Sequence, residues 1–519
     1  MFSTTQLIRR IVQTAGHQLA TVDGDRQQTW QQFETKLAHF AGGLKALGVK
    51  SDDAVAMLAL NSDRYFEFMY AVPWAGAVFQ PINTRLAGPE VVYWLNDSEA
   101  KVLLVDSTFV PMIDQIRAEL SHVEHFIFVD DAQLPEGYSS YHSLIDAQPM
   151  DDAGRQGDDV AALFYTGGTT GRSKGVMLTH SNLVANALQS VAVMDCLPGD
   201  KILHVAPMFH IADAFYCMTS LAIGGTNYFL PGFDPVATMQ GIERHQIDRV
   251  LMVPTMINML VHHADIENYD LSSLRVVAYG ASPMPETVIR KALKALPIAG
   301  FYQAYGQTEA SPIITVLDKS RHVFDGPLAG KIKSAGQAIP GLDIAIQDED
   351  HHFLPVGEVG EICIRGPNVM KGYRNMESQT EATIVDGWLH TGDGGYMDDE
   401  GFVFIVDRVK DMIISGGENV YSSEVENAIY QYPGVNQCAV IGIPSEKWGE
   451  QVHAVIVINE GLSASEEDII SHCRTQIAGF KCPRSISFRA EPLPLSGAGK
   501  ILKTELRKPF WADGERNVN

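Results

Sequence analysis

The stretch Phe164–His180, FYTGGTTGRSKGVMLTH, places four glycines, several hydroxyl side chains and the cations Arg172 and Lys174 between the apolar run AALFYT (161–166) and a helix-like segment that begins SNL. Glycines let successive backbone N–H groups turn to one side, threonine hydroxyls add donors and Lys174 adds a charge. That set suits phosphate oxygens. The plain alternative is a solvated surface loop. The Walker pattern G-x-x-x-x-G-K-[ST] fails here, because Lys174 follows Ser173 and precedes Gly175, which argues against an ordinary P-loop nucleotidase. The run SKGVMLTHSNL is expected to lead into a helix capped by Ser181 or Asn182.

Outward from this loop, short β-rich apolar runs recur: VLLVD (102–106), FIFVD (126–130), RVLMVP (249–254) and RVVAYG (275–280). Amphipathic stretches such as SNLVANALQSVAV and PETVIRKALKAL lie between them. This alternation predicts an α/β fold with largely parallel sheets. Around 340–406 the pattern changes to close-set strands and turns (IAIQDED, GEVGEICIRG, EGFVFIVD), read as a small antiparallel or barrel-like element. After Asp407 a compact α+β pattern begins, so the expected division is a large domain over 1–408 and a hinged small domain over 409–519.

The length of 519 residues implies more than one core, and a formal charge of −24 gives any polyanion a repulsive mean field, which argues against nucleic-acid or anionic-membrane partners. Six scattered cysteines form no CxxC pair and no metal-ligand spacing with histidine, as expected of free thiols in a reducing compartment. No run approaches the roughly 18 apolar residues of a membrane span. The chain is read as cytoplasmic, without stable membrane insertion.

Further motifs follow in order. YGASP holds Gly280, Ala281 and Ser282; QAYGQTEAS holds Tyr305, Gly306, Thr308 and Glu309; DGWLHTGD holds Asp393; DRVKD holds Arg408 and Lys410; PLPLSGAGKILK holds Lys500. Taken singly, each has a bland reading: a turn entering a helix, a surface ion pair, a solvated lysine. Their order and spacing resemble the adenylate-forming superfamily of acyl-CoA synthetases, luciferases and peptide-synthetase adenylation domains, over about residues 10–510. One departure is Ser173, where the family often has proline or another apolar residue.

The resemblance implies an ATP site formed by Thr166, Gly167, Gly168, Thr169, Thr170, Gly171 and Lys174, by Gly280, Ala281 and Ser282, and by Tyr305, Gly306, Asp393 and Arg408. In that site Tyr305 stacks on adenine, Thr308 reaches a phosphate or the reacting carboxylate, Asp393 grips the ribose, and Glu309 with Thr169 holds Mg²⁺. Lys500 contacts the reacting oxygens during adenylation, and Lys410 is the pivot of a domain rotation. Coenzyme A is expected at Gly416 and Gly417 and at Trp448, Phe480, Lys481 and Arg484. His210, in APMFHIADAF, gates the acyl pocket, with Phe209, Ile211, Asp213 and Phe215 around it. Asp213 either caps a helix or faces a polar group on the acid.

The implied activity is an AMP-forming acyl-CoA synthetase that turns a carboxylic acid and ATP into an acyl adenylate and passes the acyl group to CoA. Met208, Phe209, Ile211 and Phe215 favour a fatty acid of medium or long chain. An aryl or arylpropenoic acid, as in 4-coumarate–CoA ligases, stays open, as does loading of a carrier-protein thiol. GEICIRGPNVMKGYRN (360–375) resembles those ligases but belongs to the scaffold. Dimers are common in the family, so a homodimer is the assembly it implies.

Overall fold

The computed structural model describes residues 2–166, 173–282, 284–408, 411–415, 418–445, 447–496 and 501–511, with backbone alone at Asp407, Arg408 and Asn419. Two large sheets dominate the first 400 residues. In the eight-stranded sheet the strands Ala54–Leu58, Val78–Pro81, Val102–Val105 and His125–Phe128 run parallel. Val102–Val105 is buried along its whole length, as a strand covered on both faces must be. The nine-stranded sheet has a parallel centre formed by Lys201–His204, Thr226–Phe229, Arg249–Met252, Val276–Gly280 and Gly300–Gly306.

Alternation along these strands sorts the cores. Ile202, Leu251, Val276 and Ala278 join Val55, Met57 and Phe79 of the other sheet in one shared core. Their strand neighbours Leu203, Val250, Met252 and Val277 face the opposite way, against helices such as Pro254–Val261 and Glu286–Ala295. Helices therefore lie between the two sheets as well as outside them. The most enclosed is Asp63–Trp74, DRYFEFMYAVPW, buried at every position. Its acidic Glu67 is tolerated there because Gln28 Nε2 (2.7 Å), Lys36 Nζ (2.8 Å) and the Tyr141 hydroxyl all donate to it. An unpaired carboxylate in that position would cost several kcal/mol.

The hydrophobic run after the glycine-rich loop leads into a helix, as expected, but is itself a strand. Lys174–Thr179 folds back antiparallel on Val160–Thr166, with buried Val176 and Leu178 closing one face. The helix His180–Val191 starts only afterwards, and its cap is Thr179, not Ser181 or Asn182. Thr179 Oγ1 accepts from Asn182 N at 3.1 Å, and Asn182 Oδ1 accepts from Thr179 N at 2.9 Å, a reciprocal pair in which Asn182 occupies the third helical position.

The close-set strands after residue 340 form an antiparallel five-stranded sheet, with Trp388–Met397 pairing to Gly360–Arg365, Ile384–Val385 and Val403–Arg408. The last hundred residues hold another five-stranded sheet. Its core of Ile413, Val425, Ile429, Val440, Val452 and Ile456 is covered by helices Ser422–Tyr430 and Glu466–Gln476. Among the described residues, no helix is long and apolar enough to cross a membrane.

Candidate active site

Thr166 and Lys174 face each other across the mouth of the antiparallel hairpin. Gly167, Gly168, Thr169, Thr170 and Gly171 lie outside the described residues. Ser173, unexplained by the family pattern, offers its carbonyl to the Tyr93 hydroxyl at 3.1 Å. Lys174 Nζ sits 4.6 Å from the ring centroid of Tyr373, and the Tyr373 hydroxyl donates to Glu309 Oε1 at 2.9 Å. Thr308 and Glu309 form a short 3-10 turn just past Gly300–Gly306, pinned by the bond from Met370 N to the Glu309 carbonyl (2.8 Å).

Opposite this group, the Tyr305 hydroxyl donates to Asp393 Oδ2 at 2.8 Å, and Asp393 is buried. Gly280 pairs with Ala304 across neighbouring strands, and a Cβ on Gly280 would lie 2.1 Å from the Ala304 carbonyl oxygen, so no side chain fits. Gly306 is equally confined, 1.8 Å from the Pro312 carbonyl oxygen by the same measure. Ala281 adopts φ of 68°, which, with Ser282, bends the chain away at the end of the interior strand Val276–Gly280. The Arg408 side chain, Lys410, Gly416, Gly417 and Lys500 lie outside the described residues. The Arg408 backbone pairs with Asp393, and Ser496, four residues before Lys500, gives its carbonyl to Arg85 Nη1 at 2.8 Å.

Asp393 stands on a braced stretch of the strand Trp388–Met397. Glu361 accepts from Gly392 N (2.7 Å) through Oε1 and is bonded to His390 Nδ1 (2.8 Å) through Oε2, while Thr391 Oγ1 accepts from Asp393 N at 3.1 Å. Glu361, His390 and Tyr373 were not singled out in the sequence. The signal for them was present, since all three lie inside the quoted GEICIRGPNVMKGYRN and DGWLHTGD boxes, but nothing local distinguishes a brace from scaffold.

His210 is the N-cap of helix Ile211–Ile223: its Nδ1 accepts from Ala212 N at 3.2 Å, which places a neutral ring's proton on Nε2. Asp213 does not cap that helix. It is fully buried in the first turn, with Oδ2 2.9 Å from His204 Nδ1, and Cys217 Sγ lies 3.7 Å from the same nitrogen. Asn227 Nδ2 donates to the Ala20 carbonyl, which turns its Oδ1 to His204 Nε2 at 3.0 Å and fixes a proton there. Burial pushes the imidazole pKa down, but Cys217 and the Asp213 carboxylate outweigh it and hold His204 well above its ordinary value. Phe209, Ile211 and Phe215 are buried around this cluster, as is Met208.

In the C-terminal sheet region Arg484 stacks its guanidinium 4.3 Å from the Trp448 ring centroid and Lys447 approaches the same ring at 4.8 Å. Phe480 is 40% exposed. Lys481 is already engaged, with Nζ 2.8 Å from both carboxylate oxygens of Glu424, so a phosphate would have to compete for it.

These groups fit a nucleotide and a divalent cation. A carboxylate (Glu309) lies one phenol away from an ammonium (Lys174), with a second carboxylate (Asp393) across the cleft. The comparisons with known proteins agree. The AMP-binding enzyme family model matches residues 8–374, and the AMP-binding enzyme C-terminal domain model matches 424–500. The chain is 39% identical over 497 residues to feruloyl-CoA synthase of an Amycolatopsis species, covering 95% of this chain and 96% of the relative. It is 36% identical over 492 residues to the long-chain-fatty-acid–CoA ligase FadD13 of Mycobacterium tuberculosis, covering 94% of each. The crystal structure of the anthranilate CoA ligase AuaEII in complex with anthranoyl-AMP superposes with a TM-score of 0.90 at 27% identity, over 98% of this chain and 97% of that one.

Proposed function

We propose, from the premise that this chain belongs to the AMP-binding enzyme family and is an AMP-forming carboxylate–CoA ligase, that its acid is an arylpropenoic acid of the ferulic type. The observation that carries this reading is the 39% identity to feruloyl-CoA synthase across nearly the whole of both chains.

The acid is ionised near neutrality and needs no general base; the difficulty is bringing one anion to another. In this reading Lys174 and the glycine-rich loop hold the outgoing pyrophosphate, and Tyr305 and Asp393 hold adenine and ribose. Glu309 and Thr169 are the residues that would hold Mg²⁺, whose charge neutralises phosphate oxygens when bound. Lys500 then contacts the reacting oxygens from a small domain, 409–519, that turns about Lys410 to bring Gly416 and Gly417 to the site for thioester formation. CoA lies along Trp448, Phe480, Lys481 and Arg484.

A second reading, a fatty acid of medium or long chain, is favoured by Met208, Phe209, Ile211 and Phe215, all buried and apolar. Incubation with ATP, Mg²⁺, CoA and an equimolar mixture of ferulic, coumaric, cinnamic, octanoic and palmitic acids decides between them. The first reading expects hydroxylated arylpropenoyl-CoA thioesters to dominate the products. Dominance of palmitoyl- or octanoyl-CoA selects the second.

A further inference from the structure

Lys174 and Glu309, assigned to the two ends of the polyphosphate, share one neighbour. The Tyr373 hydroxyl donates to Glu309 Oε1 at 2.9 Å, and the face of the same ring lies 4.6 Å from Lys174 Nζ. The backbone around Tyr373 is tied to both partners. Tyr373 pairs with Val176, two residues after Lys174, and Arg374 N and Lys371 N donate to the Gly175 and Met177 carbonyls at 2.8 and 3.0 Å. Met370 N donates to the Glu309 carbonyl, and Tyr373 N to Thr380 Oγ1 at 2.9 Å. Tyr373 is 6% exposed.

An ammonium and a carboxylate that share one neighbour attract each other, and a collapsed ion pair would remove both from their ligands. The phenol separates their tasks. Its O–H occupies Oε1 and restrains the carboxylate, and its ring face holds the ammonium by a cation–π contact that a phosphate can displace without leaving a buried charge behind.

We propose that Tyr373 is a positioning residue that orients the Glu309 carboxylate for a divalent cation and parks Lys174 for the pyrophosphate end of the nucleotide. This rests on the reading of Glu309 as the cation-facing residue given above. Tyr373→Phe removes the hydroxyl and keeps the ring face; Tyr373→Leu removes both. The measurement is Mn²⁺ binding to the protein with ATP, read by electron paramagnetic resonance without acid or CoA, beside ATP binding in EDTA. The Phe variant is expected to bind Mn²⁺ about 10- to 150-fold more weakly in the ATP complex, the range for a lost hydrogen bond to a charged group. Its metal-free ATP affinity should stay within about twofold of wild type, while the Leu variant loses affinity in both assays. Wild-type Mn²⁺ affinity in the Phe variant overturns the proposal, as does equal loss of metal-free ATP binding in both variants. Failure of the wild-type protein itself to bind Mn²⁺ with ATP overturns the Glu309 reading and the proposal together.

Discussion

Tyr305 donates a 2.8 Å hydrogen bond to Asp393, linking the end of a strand in the nine-stranded sheet to the middle of a strand in the small antiparallel sheet. The bond joins an aromatic ring and a carboxylate from the two sheets. Tyr305→Phe keeps the ring and removes this donor from the carboxylate. Its KM for ATP should rise about 10-fold, and the fold should lose about 1–3 kcal/mol because a buried carboxylate loses a hydrogen bond. An unchanged KM would separate Asp393 from ribose binding.

Arg85 offers a separate test, because its bond to the Ser496 carbonyl holds the segment leading to Lys500 against the large N-terminal region. The contact is exposed and modest in strength. Arg85→Ala should slow acid-dependent formation of the adenylate by about two- to fivefold, measured in single turnover. Thioester formation from pre-formed acyl adenylate should be unaffected. Equal losses in the two half-reactions would count against a contact specific to one arrangement of the small domain.

Much of the fold was readable because its strands and helices carry their own periodicity. VLLV and the amphipathic ETVIRKALKA are each settled by local spacing. The segment KGVMLT leads into a helix as expected, but its own strand was not read, because its partner, Val160–Thr166, lies on the far side of a loop, and pairing across a loop leaves no local period. The candidate site was legible as a set of expectations wherever one residue would carry the chemistry, as at Lys174, Tyr305, Glu309 and Asp393. It was not readable where a residue acts through another: Tyr373 and Glu361 are 64 and 32 positions from Glu309 and Asp393 in the sequence, and only folding brings them together. Asp213 shows the same limit, since its partner His204 sits on a neighbouring strand.

Acid should weaken the fold in a defined window. Burial lowers the pKa of His180, His322 and His453 to about 4 from an ordinary 6.5. Between those values the unfolded chain binds more protons than the folded one, so unfolding free energy rises with pH from about 4 to 6.5 and falls on acidification through the same range. Asp23, raised to about 6 by burial and then by Asp63, pulls the other way over part of the window. Glu34 and Asp106, also raised by burial, pull with Asp23, and His245, lowered by burial, joins the three rings. The rings outweigh the carboxyls, so urea midpoints should drop steadily from pH 6.5 to 4.5, and a flat profile would show that these rings are not neutral in the fold. His453→Gln should reduce the slope.

An AMP-forming carboxylate–CoA ligase uses the acid's own oxygen to attack the α-phosphorus of ATP before the acyl group moves to CoA. Ferulate labelled with ¹⁸O in both carboxylate positions, incubated with the wild-type protein, ATP, Mg²⁺ and CoA, tests it directly by mass spectrometry of the nucleotide. The predicted result is AMP carrying one ¹⁸O for each feruloyl-CoA formed, with unlabelled pyrophosphate. Unlabelled AMP, or ADP with the label in orthophosphate, would contradict it.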